Sequence, residues 1–343
     1  NAYGHGTIGV SRLLLEYGVD MLAVAALSEA AELRKADINA SLLLFSLPLF
    51  EEIPDILKYT VEPFVFTEDF IKTLNIYAKK EKKIVNVHLK IDTGMGRIGC
   101  APEQATSLAK LITTQSNLHL AGCCTHFATS DSLSKKDSNY TKKQIKVFKN
   151  CIQSIKECDI IPGICHCSGT GGTLLYPEAQ FDMIRPGLVV YGYYPSTDVE
   201  KKVKKQYKTF EIFPVMELQT KITSIKTIKA GESVSYGRIW TANENTRIAT
   251  IPLGYADGLK RSLSPGLLVL INGKQYPVVG SICMDQCMID IGTKEKICTE
   301  DIVTIFSDYK NAQSLITQAD LANTIVYEIL TGIMPRVPRV YLD

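Results

Sequence analysis

Along the first 205 residues, short unbroken apolar runs alternate with stretches whose apolar positions recur every three or four residues. The runs at 21–25, 42–45, 63–66, 84–91, 120–125, 163–167 and 182–185 are continuous rather than alternating, the pattern of strands buried on both faces. Helix starts lie between them: Ser28 before Glu29, Thr67 before Glu68 and Asp69, and Pro102 with Glu103 ahead of 104–112. A repeated βα order predicts a parallel sheet with right-handed crossovers, either open and doubly wound or closed as an eight-stranded barrel. Seven strands are visible, and a strand ending just before Asn1 would supply the eighth.

Polar side chains decide between the two. His88 and Lys90, then His126, then His166, then Arg185 fall at the ends of four successive predicted strands. A closed barrel gathers those ends into one rim around one pocket, whereas an open sheet spreads them along an edge. The expectation is therefore a (β/α)8 TIM barrel over 1–205. After it the texture becomes alternating, at 215–225, 246–251, 267–272, 288–291 and 301–306, which predicts a mainly β domain over 206–343 with one helical stretch at 314–330. The lysine-rich 200–205 marks the boundary and reads as a solvated face or linker.

Composition narrows the function classes. The 343 residues carry 38 Lys and Arg against 36 Asp and Glu, a net charge of only +2, which argues against nucleic acid or an anionic membrane as principal partner. The longest apolar run, 42–50, contains Ser46 and Pro48 and is far short of the ~20 residues that span a bilayer, so no transmembrane helix is expected. Ten cysteines in a chain of this length are ordinary, and several lie in apolar runs, which favours a reducing, cytoplasmic setting. The chain opens at Asn1 without Met or a signal-like segment and reads as the start of a fragment.

Four segments carry candidate chemistry. The first is the Gly-flanked turn 1–6, where Tyr3 offers a hydroxyl to an anion. The second is 88–99, where charged groups leave a strand end through a glycine-rich loop; Lys90 there needs a counter-charge, such as Asp92, or a modification. The third is 181–188, with Arg185 ending the last strand and Gly187 and Leu188 able to point N–H groups at an anion; with 166–173 it makes a plausible phosphate cup. The fourth pairs 251–258 with 280–286. Cys165-His166-Cys167 and Cys123-Cys124-Thr125-His126 invite a metal, but alternate strand residues face opposite ways, so neither is expected to hold one. No Gly-x-Ser-x-Gly elbow points to a serine hydrolase.

Taken together, Asn1-Ala2-Tyr3-Gly4-His5-Gly6, 88–99, Thr125-His126-Phe127-Ala128, Arg185-Pro186-Gly187, Val234-Ser235-Tyr236-Gly237, Gly254-Tyr255-Ala256-Asp257-Gly258, Cys283-Met284-Asp285-Gln286 and Arg336-Val337-Pro338-Arg339 resemble alanine racemase, a pyridoxal phosphate enzyme, in the family's own order. The resemblance implies the barrel followed by a β domain, and a homodimer whose active sites are completed by the partner's β domain. It implies racemisation of alanine by two bases, supplying D-alanine for peptidoglycan. Arg185 is similar to the arginine facing the cofactor's pyridine nitrogen, and Tyr255 to the base that exchanges the Cα proton from the other subunit. The resemblance makes His126, linked to Arg185, a helper of that tyrosine. Asp285 stands beside Met284, whose backbone N–H is similar to one meeting the substrate carboxylate. Arg97 resembles the residue contacting cofactor and substrate, and Lys90 one often carbamylated to hold it. Tyr3, His166, Thr170, Gly187 and Leu188 complete the cofactor contacts.

The chain departs from the family pattern in three places. Gly169-Thr170 replaces the usual Asn-Ser, keeping a hydroxyl on a more flexible loop. Pro335 replaces a phosphate-binding tyrosine. The lysine that binds pyridoxal phosphate covalently and acts as the second base belongs two residues before Asn1, so the expectation is a truncated chain. Two alternatives stand beside alanine racemisation: a broader racemase acting on serine or lysine, since small side chains are separated by only ~1–3 kcal/mol, and a non-enzymatic pyridoxal phosphate carrier.

Overall fold

In a computed structural model describing residues 1–342, the βα alternation becomes a curled sheet of six parallel strands. Its elements are α1 (Thr7–Glu16), β1 (Met21–Val24), α2 (Leu27–Lys35), β2 (Ser41–Leu44), α3 (Ile53–Tyr59), β3 (Val61–Val65), α4 (Glu68–Lys80), β4 (Val85–Lys90), α5 (Ala105–Thr114), β5 (Leu118–Cys124), α6 (Lys135–Lys156), β6 (Ile164–His166), α7 (Thr170–Leu175) and α8 (Thr197–Gln206). The strands pair in sequence order, from β1 to β6.

The continuous apolar runs conceal an alternation. Leu42 and Leu44, Val61 and Val65, Val85, Val87 and Leu89, and Cys165 and Cys167 join the helices in one large apolar cluster. Leu43, Phe64 and Cys124 form a separate small cluster on the other face of the sheet. That inner face also takes the polar residues at the same parity: Glu62 on β3, Asn86, His88 and Lys90 on β4, and His166 on β6. A β-bulge between Val87 and His88 shifts the β4–β5 register by one, bringing His88 opposite Gly122.

The expected seventh strand, 182–185, does not form. It touches β6 through one bridge, His166 to Met183, because the Asp182 carboxylate takes the Cys165 N–H and Phe181 turns left-handed before it. The lysine-rich 200–205 lies within α8, where Val199 and Val203 are buried and Lys201, Lys202, Lys204 and Lys205 face solvent.

Residues Thr7–Gly187 and Asp198–Phe210 form this unit; Asn1–Gly6, Leu188–Thr197 and the chain from Glu211 form the second. Residues 1–6 thus pack away from the position a cut at 205 would give them: Tyr3 lies against Tyr191 and Tyr327, and Arg339 donates to the Gly4 carbonyl.

The second unit is an antiparallel sheet of β7 (Leu218–Lys221), β8 (Ser224–Ile228), β11 (Thr246–Ile251), β12 (Leu268–Ile271), β13 (Lys274–Val279), β14 (Cys287–Asp290) and β15 (Ile302–Phe306), in the order β7-β15-β12-β13-β14-β11-β8. A two-stranded ribbon pairs β9 (Ser233–Val234) with β10 (Trp240–Thr241), and α9 (Leu315–Leu321) and α10 (Val326–Gly332) follow. The single strand expected at 215–225 is two, at opposite edges of the sheet. The helix expected at 314–330 breaks where Asn323 is left-handed. Strand β13 was not anticipated, although Asn272-Gly273 between β12 and β13, both with positive φ, is a strong hairpin signal.

Candidate active site

On the sheet's inner face the strands deliver a cluster around Arg185. Its Nη1 donates to His166 Nδ1 at 2.7 Å, while Nη2 donates to the carbonyls of Thr125 (3.0 Å) and Cys167 (3.2 Å) and approaches His126 Nδ1 at 3.3 Å. All four acceptors are neutral, and the Nε–H makes no hydrogen bond among the described residues. Burial and then the Arg185 charge pull His126 down to about 3 and hold His166 well below the usual range, so both rings are neutral at pH 7. His126 is steadied by Gln144, buried on α6, which donates to its carbonyl and to Thr93 and accepts from Ala128 N.

Lys90 stands beside this cluster, 4% exposed, with Nζ 5.2 Å from the centre of the Phe64 ring and no hydrogen bond or ion pair among the described residues. Burial, together with the charges of Arg185 and Arg97, pulls its pKa down to about 8. Asp92, the counter-charge considered from sequence, makes no ion pair with it. Its carboxylate instead accepts from the backbone N–H groups of Gly94, Met95 and Gly96 at 2.8–3.1 Å, closing the glycine-rich loop. Burial alone would raise the Asp92 pKa, but these donors hold it below the usual value. Arg97 leaves that loop exposed.

Thr170 begins α7 and its hydroxyl accepts from Gly187 N–H at 3.0 Å, so one expected anion donor is already satisfied while the Thr170 O–H is left to donate. The glycines after it are demanded by close packing rather than by mobility. A Cβ on Gly171 would fall 2.8 Å from the Ser130 backbone, and one on Gly172 2.8 Å from the Ser168 hydroxyl.

The second unit presents the remaining candidates. Tyr3 sits in a left-handed turn with its ring against those of Tyr191 and Tyr327, and burial raises its pKa; Leu188 is fully buried. Tyr255 opens a single 3-10 turn and is 44% exposed. That turn is zipped to the Met284 segment: Tyr255 N donates to Cys283 O and Ala256 N to Met284 O. The contact is so close that a Cβ on Gly254 would meet Met284 O at 2.3 Å. Arg336 closes the arrangement, donating from Nε to Asp257 and from Nη2 to Asp285, each at 2.7 Å. Asp285 is thereby an ion-pair partner of Arg336, and Met284 beside it is exposed.

Sequence reading left three participants without a role. Arg336 belonged to a recognised motif. Gln144 is a lone amide on the apolar face of a long helix. Glu62 lies just ahead of the apolar run 63–66, on a strand that begins two residues earlier, at Val61; its signal is a carboxylate two residues before Phe64, on the same face.

The chain matches the family models for the alanine racemase N-terminal domain over residues 1–195 and the C-terminal domain over 215–341. It is 49% identical to an alanine racemase of Treponema denticola, covering all of this chain and 89% of that protein. Among solved structures it resembles the alanine racemase of Clostridium difficile 630, with a TM-score of 0.92 at 36% identity over 99% of this chain and 86% of that one. The alanine racemase of Bacillus anthracis with bound L-Ala-P gives 0.90 at 32% identity, over 100% and 86%. With a curled parallel sheet carrying the arginine–histidine cluster and an antiparallel unit carrying Tyr255, the chain belongs to the alanine racemase family.

Proposed function

We propose that this protein interconverts L- and D-alanine with pyridoxal 5'-phosphate as cofactor, acting as a cytoplasmic homodimer whose D-alanine supplies peptidoglycan. The observation that carries this reading is Arg185, a guanidinium held by neutral acceptors with its Nε–H unbonded among the described residues, beside a buried lysine. Such a donor set fits a pyridine nitrogen, which needs a hydrogen bond but no counter-ion. The Thr170 hydroxyl fits a phosphate oxygen in the same way, with Tyr3 and the Leu188 N–H as further contacts, while Gly187 acts through Thr170 and His166 through Arg185.

Pyridoxal phosphate, when bound, supplies an electron-accepting ring that acidifies the Cα–H of an amino acid. Arg185, permanently charged, would donate to the ring nitrogen and disfavour its protonation, which would weaken the ring as a sink and favour racemisation over transamination. Its two imidazole partners, both neutral, do not compete as acids. Tyr255 of the partner subunit exchanges the Cα proton on one face at its phenolic oxygen. The Arg336 clamp on Asp257 and Asp285 holds that tyrosine's turn against the Met284 segment, and the Met284 N–H with Arg97 receives the substrate carboxylate.

Incubation of the holoenzyme with L-alanine, followed by chiral chromatography, should show D-alanine approaching an equal mixture. Turnover of serine or lysine in place of alanine would identify a broader racemase, and cofactor binding without any turnover a carrier. Tyr255→Phe should abolish solvent deuterium exchange from one enantiomer while leaving cofactor binding nearly intact. Loss of cofactor with exchange unchanged would refute the role given to Tyr255.

A further inference from the structure

A line of hydrogen bonds runs from Arg185 across the inner face of the sheet. Beyond His166 Nδ1, which accepts from Arg185, His166 Nε2 lies 2.9 Å from His88 Nδ1, and His88 Nε2 lies 3.0 Å from Glu62 Oε2. Both rings are fully buried, and the Glu62 side chain is 14% exposed. Asn86 Nδ2 reaches the other carboxylate oxygen at 3.5 Å.

The proton positions follow from the two ends. Arginine only donates, so His166 Nδ1 carries a lone pair and its proton sits on Nε2. That proton points at His88 Nδ1, which must in turn be bare, leaving the His88 proton on Nε2 and aimed at Glu62. An ionised carboxylate only accepts, so it demands the same arrangement. Every bond therefore points one way, from cation to anion. Room for the line is made by Gly122 on β5, where a Cβ would lie 2.4 Å from His88 Nδ1.

We propose that Glu62 is a positioning residue for Arg185: its carboxylate anchors the far end of the line Arg185–His166–His88–Glu62, fixing the tautomer and orientation of both rings and thereby the guanidinium. Its bearing on the cofactor rests on the reading of Arg185 given above. Among the described residues Arg185 has no direct carboxylate partner, and the line is what connects it to one. Bonds in such a line polarise one another, so an acceptor lost at one end weakens the bond at the other.

The test uses the holoenzyme labelled with 15N-histidine, which has five histidines to resolve. His88 and His166 should both appear as Nε2–H tautomers with slowly exchanging protons. Glu62→Leu should lose the His88 proton to exchange, shift the His166 resonances and weaken cofactor binding by about threefold to tenfold, whereas Glu62→Gln, whose amide oxygen still accepts, should keep both signals and stay within about twofold. In a His166→Phe background, Glu62→Leu should have no further effect on cofactor affinity. Unchanged histidine signals and affinity in Glu62→Leu would overturn the proposal, as would a mixture of tautomers in Arg185→Leu, where the carboxylate alone should still direct the line. If Arg185→Leu keeps both tautomers and also keeps full cofactor affinity, the positioning by Glu62 stands and the role assigned to Arg185 falls.

Discussion

Replacing Lys90 by Met should make the protein without cofactor more stable at neutral pH, although Lys90 lies at the centre of the candidate site. The side chain is 4% exposed and without an ion-pair partner among the described residues, and its pKa is drawn from 10.5 to about 8, mainly by burial. A lysine whose folded pKa is depressed binds its proton more tightly when unfolded. The penalty is therefore complete below about pH 8, shrinks as the pH rises towards 10.5, and is absent above it. That drop corresponds to about 3 kcal/mol. Methionine keeps the length of the chain without the charge, so the variant should gain up to this amount at pH 7 in carbon dioxide-free buffer and nothing at pH 10.5. Hydrogen exchange of the β4 and β5 amides reads this locally, without assuming that the two units unfold together. Bicarbonate should reverse the order. With a pKa of about 8, about one amine in ten is neutral at pH 7, against about one in three thousand for an ordinary lysine. The neutral amine adds carbon dioxide and releases a proton, and the resulting anion stands among Arg97 and Arg185. A Met variant less stable than the wild type at pH 7 without carbon dioxide would refute the reasoning, since it would mean that the cation is stabilised where it lies.

Two further outcomes follow from the clamp and the phosphate residues. Arg336→Met should slow racemisation by about tenfold or more with little change in global stability, because solvent screens ion pairs at an exposed guanidinium; Arg336→Lys should not rescue it, as one ammonium cannot reproduce the fork on Asp257 and Asp285. Steady-state kinetics beside thermal melts would check this, and a parallel collapse of both would contradict it. Thr170→Val, which strands the Gly187 N–H, should weaken cofactor binding by about tenfold, with Thr170→Ser close to wild type in equilibrium dialysis.

The residues that carry chemistry were legible one by one, because Lys90, His126, His166 and Arg185 stand within, at the close of or just beyond the apolar runs of the sequence. What hid the rest was parity. The apolar run 63–66 starts after Glu62, whereas the strand starts at Val61 and carries Glu62 and Phe64 on one face, and only the β-bulge after Val87 places His88 opposite Gly122. The strand expected at 182–185 failed for a related reason: the side chain of Asp182 takes a backbone donor that a ladder would have used.

The sequence by itself determined the alternating βα order, the antiparallel texture that follows it, and the family, since periodicity and motif order are local properties of the chain. Tertiary structure decided which carboxylate serves which cation. Asp92, two residues from Lys90, closes its own loop, while Glu62, distant in sequence, terminates the line from Arg185, and Arg336 joins Asp257 to Asp285. Charges choose partners by distance, burial and the direction in which each hydrogen can point, and none of these is a function of spacing along the chain.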